Sequence, residues 1–160
     1  MKTGIIIIFH DYEKKLDINY FISQINDSED LEICLVNNYS KDNTYELLKE
    51  ISEKCKNVSV VNINKYKTDI YAIRAGVRYL VNHFNLREIG YIDTNLLSPN
   101  QNELNNVMKV VINNIDSILK YKNEVIQQKK IKQSMLQSIF SLLECMKEFK
   151  EEHHVLCLQD

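Results

Sequence analysis

Only three glycines (Gly4, Gly76 and Gly90) and one proline (Pro99) punctuate the 160 residues. Glycines so few and so scattered cannot build a Gly-x-Gly-x-x-Gly turn or any other glycine-rich phosphate loop. Charge of one sign is lacking as well. Twenty basic residues stand against 22 acidic ones, a formal charge of -2, so no global field draws nucleic acid or an anionic membrane. The four cysteines (Cys34, Cys55, Cys145 and Cys157) include no Cys-x-x-Cys pair; they read as reduced thiols, with Cys34 a small buried hydrophobe. No run approaches the roughly 20 apolar residues that a transmembrane helix needs. The apolar stretch Ile5 to Phe9 is too short for a signal-peptide core, and charge follows directly. These absences predict a cytoplasmic protein with no transmembrane segment.

What is present is a 44% hydrophobic, 26% charged chain, enough for one α/β domain over residues 1–160 with a sizeable core. β-branched runs alternate with segments of helical period through residues 1–104, which predicts βα units around a mostly parallel sheet covered on both faces, a three-layer Rossmann-like α/β/α arrangement. The strands are Gly4 to Phe9, Leu31 to Val36, Val58 to Ile63 and Ile89 to Ile92. Helices are expected from Glu13 to Ile25, from Ser40 to about Cys55, and from Thr68 or Asp69 onward. Residues 105–152 read as helical. One helix covers about Asn100 to Asn113, Ile115 to Tyr121 is open between helix and strand, and a long amphipathic helix runs from Glu124 to Lys150. That last apolar face must be covered by the sheet, a second copy or a partner.

Ligands of open α/β sheets bind beyond the carboxyl ends of the strands. Phe9-His10-Asp11, Asn37-Asn38 and Asp93-Thr94-Asn95 should therefore open onto one rim. Residues i and i+2 of a strand point to one side, so Asp93 and Asn95 could converge on a hard divalent cation. The tail His153-His154-x-x-Cys157-x-x-Asp160 makes a poor zinc site, because adjacent histidines diverge on a helix and no second ligand pair follows. Local motifs give no Ser-His-Asp or Cys-His arrangement.

Four segments in order carry a resemblance: Phe9-His10-Asp11-Tyr12-Glu13 after an Ile strand; Asn37-Asn38-Tyr39-Ser40-Lys41-Asp42-Asn43-Thr44; Ala72-Ile73-Arg74-Ala75-Gly76; and Asp93-Thr94-Asn95 followed by Leu96-Leu97-Ser98-Pro99. Over residues 4–104 the chain resembles the family-2 glycosyltransferases of GT-A fold, with a flavour of the polyprenyl-phosphate sugar synthases. Their pattern is Pro-Val-Tyr-Asn-Glu, Asp-Asp-Gly-Ser-x-Asp-x-Thr, a helix start containing Lys or Arg, and Asp-x-Asp.

The resemblance implies a nucleotide-diphosphate sugar of UDP or GDP type, an unknown acceptor, inversion by direct displacement, and Mg²⁺ or Mn²⁺ held by Asp93 and Asn95. Asn37 matches the position that accepts from the base ring N–H, with Asn38 and His10 beside it. Glu13 falls near the ribose or base, Phe9 replaces the proline and could stack on the base, and Arg74 would offset the diphosphate, with Lys65 and Lys67 as similar candidates. Bland readings stay open beside these: Asn37-Asn38 as a turn, Phe9 as core, Arg74 as a solvated helix residue. Asn stands for Asp at 37 and 95, and Tyr39 for the glycine, which weakens the donor site. The family's general base lies in a later segment and the chain stops at Asp160, at or before it; Asp11, His10 and Asp160 are the conceivable substitutes, so the catalytic residue is unknown. The rival reading is a non-catalytic relative acting as a subunit or interaction module through the 124–150 helix.

Overall fold

Every residue from Ile5 to Phe9 is at most 1% exposed, as a strand covered on both faces requires. The computed structural model describes residues 1–26, 28–100, 102–128 and 139–153. Its sheet has five strands: β1 (Lys2–Phe9), β2 (Leu31–Asn38), β3 (Val58–Ile63), β4 (Leu86–Asp93) and β5 (Ile139–Ser141). Their order is β3-β2-β1-β4-β5, and every pairing is parallel. The helices are α1 (Ile18–Ile25), α2 (Thr44–Lys54), α3 (Asp69–His83), α4 (Glu103–Gln128) and α5 (Leu142–His153). Among the described residues no helix is long and apolar enough to cross a membrane.

Alternation along the strands splits the core in two. Ile5, Ile7 and Phe9 face a cluster built with α1, α2, α4 and α5, while Ile6 and Ile8 face Ala72 and Leu80 of α3. Gly76 lets α3 approach β1, since a Cβ there would stand 2.8 Å from Ile6 Cγ2. A buried ion pair, Lys122 Nζ to Glu88 Oε2 at 2.8 Å, ties α4 to β4, and Asn123 Nδ2 donates to the other oxygen of Glu88 at 3.1 Å.

Several boundaries differ from the sequence expectation. The helix expected from Glu13 begins at Ile18, because Asp17 caps it by accepting from Tyr20 N at 3.2 Å and residues 13–15 form a separate 3₁₀ turn. Ser40 does not cap α2. Its hydroxyl is spent on Asn37 and the Asp11 N–H, and the helix begins at Thr44, where Asp42 accepts from Thr44 N at 3.0 Å. The ambiguous 115–121 segment is helical, within α4. A single helix over 124–150 does not form. Ile139 and Phe140, in helical register in the sequence, instead pair with Ile89 and Gly90 along the open edge of β4, and Ser141 Oγ accepts from Glu144 N to start α5. Leu142 and Met146 are then buried against the sheet, while Ile131, Met135 and Leu136 of the expected apolar face lie outside the described residues.

Candidate functional site

Because β1 lies between β2 and β4, the chain leaves its central strand toward β2 and β3 and later reappears on the opposite flank. That reversal opens a crevice at the carboxyl ends, where such sheets bind ligands. Register fixes what meets there: Phe9 lies opposite Asn37, Ile8 opposite Asp93, and Asn37 opposite Asn62. The three predicted strand exits do share one rim.

At the β1 and β2 exits most polar side chains brace one another. His10 Nδ1 contacts the Asn38 carbonyl at 2.9 Å; a carbonyl only accepts, so Nδ1 carries the hydrogen. Its Nε2 lies 3.3 Å from Asp11 Oδ2, and its ring meets Tyr66 edge-on. Asn38 is locked on both sides, Nδ2 donating to Lys67 O at 2.9 Å and Oδ1 accepting from Lys67 N at 3.0 Å. Glu13 takes Asn43 N and Nδ2 on its two oxygens, which fastens the 3₁₀ turn to the start of α2. Asp42 does the converse, accepting from Glu13 N at 3.2 Å. Burial alone would raise the Asp42 carboxyl, but hydrogen bonds from the Thr44 hydroxyl and N–H and from Glu13 N–H outweigh it and hold it below its ordinary range.

Asn37 is 3% exposed. Its Oδ1 accepts from Ser40 Oγ at 2.6 Å, and its Nδ2 donates to Asn62 Oδ1 at 2.8 Å. Asn62, an exposed residue that the sequence reading missed, is an amide interrupting the apolar β3 run, and parallel pairing makes it Asn37's neighbour. Phe9 is fully buried and packs edge-on against Tyr12, so it has no free face for a base and the expected stacking role falls away. The exposed rings at the rim are Tyr39 and Tyr66. Arg74 sits one and a half turns into α3, lining a shallow groove with Ile70, Ile73, Val77 and Arg78.

The β4 exit differs from its sequence reading in one respect that matters. The strand stops at Asp93, and Thr94–Leu96 forms a 3₁₀ turn. Such a turn rotates side chains by about 120° per residue, so positions 93 and 95 no longer share a side as they would along a strand. Asn95 is exposed and donates its backbone N–H to Asp93 Oδ1 at 3.0 Å. Thr94 Oγ1 ties the turn to Ile8 O at 2.6 Å. The Asp93 carboxylate is 3% exposed, and no donor other than Asn95 N reaches it among the described residues. Burial raises its pKa first. The Asn95 N–H bond opposes that rise, and the negative charge of Asp69, on the first turn of α3, adds to it. No Lys, Arg or His pairs with either acid among the described residues. A buried carboxylate without a compensating cation fits a hard divalent ion; Asp69 carried no signal in the sequence beyond a helix start. Of the tail cluster, His153 ends α5, and His154, Cys157 and Asp160 lie outside the described residues.

The fold is shared with solved structures. S. aureus TarS 1-349 is 14% identical with a TM-score of 0.50, covering 77% of this chain and 33% of its own. A second structure of S. aureus TarS gives 12% identity and a TM-score of 0.51, over 77% of this chain and 20% of that one. TarS 1-349 in complex with UDP-GlcNAc gives 15% identity and a TM-score of 0.50, over 77% and 32%. The chain thus spans about a third of the length of TarS 1-349. No curated protein matches it. The model of the family described as Glycosyl transferase family 2 matches residues 5–84, half of the 160, including the β1 and β2 exits and α3 but stopping short of Asp93. By that match over half its length, the chain belongs to glycosyl transferase family 2.

Proposed function

We propose that the protein binds a nucleotide-diphosphate sugar of UDP or GDP type in the crevice between β1 and β4, and transfers the sugar to an acceptor. The carrying observation is the convergence of the β1, β2 and β4 exits on a buried, uncompensated Asp93 at the reversal of strand order. The nucleoside lies over the β2 exit, between Asn37, Asn38, Glu13 and His10, with the exposed rings of Tyr39 and Tyr66 as stacking faces. Its diphosphate meets the first turn of α3, where Thr68 makes no side-chain cap bond and the N–H groups are left for an anion. Lys67, just before that helix, and Arg74 within it add positive charge.

Asp93 would hold a divalent ion, Mg²⁺ or Mn²⁺, which would offset the charge that gathers on the leaving diphosphate. Transfer is an in-line displacement: the acceptor oxygen forms its bond to the anomeric carbon as the bond to the diphosphate oxygen breaks, which inverts that carbon. The acceptor proton passes to a base; His10 and Asp11 are the titratable side chains nearest the β1 exit. TarS, a protein of this fold, has been crystallised with UDP-GlcNAc, which supports the nucleotide-sugar class and leaves the particular sugar open.

One observation favours the rival, a relative without sugar transfer: the Asn37 carbonyl is already engaged by Ser40, and an amide accepts from a base more weakly than a carboxylate. A panel of UDP- and GDP-sugars with Mn²⁺ separates the two. The enzyme releases UDP or GDP from one of them, and that nucleotide raises the melting temperature. A nucleotide that raises the melting temperature with no release from any sugar, or no shift with any nucleotide, contradicts the enzyme reading and supports the rival.

A further inference from the structure

We propose that Asn62, at the β3 exit, is the side chain that reads the nucleobase, and that it selects bases whose edge carries a ring N–H beside a carbonyl, as uracil and guanine do, over cytosine and adenine. The proposal rests on the nucleotide-sugar reading above, which places the nucleoside over the β2 exit. Asn37 is poorly placed to do the reading. It is 3% exposed, and its amide is engaged at both ends, Oδ1 by Ser40 and Nδ2 by Asn62. Asn62 lies beside it in register on the neighbouring strand and is exposed.

A chain of hydrogen bonds fixes which way the Asn62 amide points. The Asp11 backbone N–H can only donate, and it donates to Ser40 Oγ at 3.0 Å. The Ser40 hydroxyl passes its own hydrogen to Asn37 at 2.6 Å, the length of an O–H···O bond and short for an N–H···O bond. The Asn37 atom that receives it is therefore Oδ1. That turns Asn37 Nδ2 toward Asn62, where it donates to Oδ1 at 2.8 Å. An Asn62 amide turned the other way would set its NH₂ group against that of Asn37. The remaining bond of Asn62, from Nδ2 to Asn64 Oδ1, is 3.3 Å long and exposed, so a ligand can replace it.

Held in this way, Asn62 keeps a lone pair on Oδ1 and N–H hydrogens on Nδ2 for a ligand. These complement the ring N–H and adjacent carbonyl that uracil and guanine share. Cytosine and adenine present the inverse edge, a ring acceptor beside an amine, which would set acceptor against acceptor and donor against donor. An amide free to turn would serve both classes. The relay from Asp11 through Ser40 and Asn37 removes that freedom, so the engaged Asn37 carbonyl becomes what holds the reader in one orientation.

The test is calorimetric titration, in the presence of Mn²⁺, of UDP against CDP and of inosine diphosphate against ADP, pairs that differ only at this edge. In whichever pair binds, the wild type should prefer the carbonyl member about tenfold or more. Asn62→Ala removes the reader, and Asn62→Asp sets an oxygen against the base carbonyl while accepting from an amine; each should bring the preference within about threefold. Ser40→Ala, which frees both amides to turn, should narrow it by strengthening the weaker member. Asn62 is exposed on an edge strand, so its variants should melt close to the wild type. A preference unchanged in the Asn62 variants or in Ser40→Ala, or no preference in the wild type, overturns the assignment while nucleotide binding persists. Failure of the nucleotide reading shows itself separately, as no binding of any of these nucleotides, and the assignment falls with it.

Discussion

Tyr39 holds a φ of 54°, and Asp11, across the rim, one of 47°. Left-handed backbone costs an L side chain on the order of 1 kcal/mol, while glycine adopts it freely. Asp11 has a compensation, since its Oδ1 accepts from Lys41 N at 2.7 Å; Tyr39, 41% exposed, has no such bond among the described residues. Tyr39→Gly should therefore raise unfolding stability by about 0.5–1 kcal/mol, read from urea denaturation; a loss would mean that the ring's contacts outweigh the strain. Asp42 makes a pH prediction. Its carboxyl is lowered in the fold, so its contribution is fully present above the ordinary carboxylate value of about 3.9 and disappears as pH falls through the lower folded value. Asp42→Asn should melt below the wild type at pH 7, and by a smaller margin at about pH 3. Equal gaps at both values would show that the charge is immaterial.

At this scale the sequence was informative where chemistry is local and silent where it is not. His10, Asn37, Asn38 and Asp93 were placed on the rim by strand ends alone, and the rim forms. Phe9 stays open between two readings because a residue ending a strand can point either to the rim or to the core, and the period-two face shared with Ile5 and Ile7 settles it inward. Asn62 was invisible as a site residue because its neighbour, Asn37, comes from another element.

Among elements, α3 illustrates how a motif position can be structural. Gly76 closes the Ala-x-Arg-x-Gly segment, and a methyl group there would press within 2.8 to 3.1 Å of three Ile6 side-chain atoms. Ile6 is fully buried and β-branched, so it has little room to yield. Gly76→Ala should cost about 1–3 kcal/mol by overpacking, beyond the roughly 1 kcal/mol that alanine gains in a helix. A stabilised variant in a urea melt would show that α3 can lift off β1 without penalty. The C-terminal elements show the limit of periodicity. A helical pattern through Ile139 and Phe140 is also satisfied by a three-residue strand followed by α5, and the deciding contact, the open edge of β4, lies some fifty positions away in the chain.

For the whole molecule, four β-branched runs sufficed to predict a parallel sheet covered on both faces, because buried parallel strands read as unbroken apolar runs. The strand order, and with it the location of the crevice, followed only from pairing. What the sheet positions is a rim that, on the proposed reading, receives a nucleoside diphosphate, in a chain that spans about a third of TarS 1-349. Calorimetric titration of UDP and of GDP in the presence of Mn²⁺ tests the central claim most directly. Saturable binding of one of them, weakened when Mn²⁺ is withheld and abolished by Asp93→Ala, is the predicted result; dilution heat alone from both, or binding indifferent to Asp93, would contradict it.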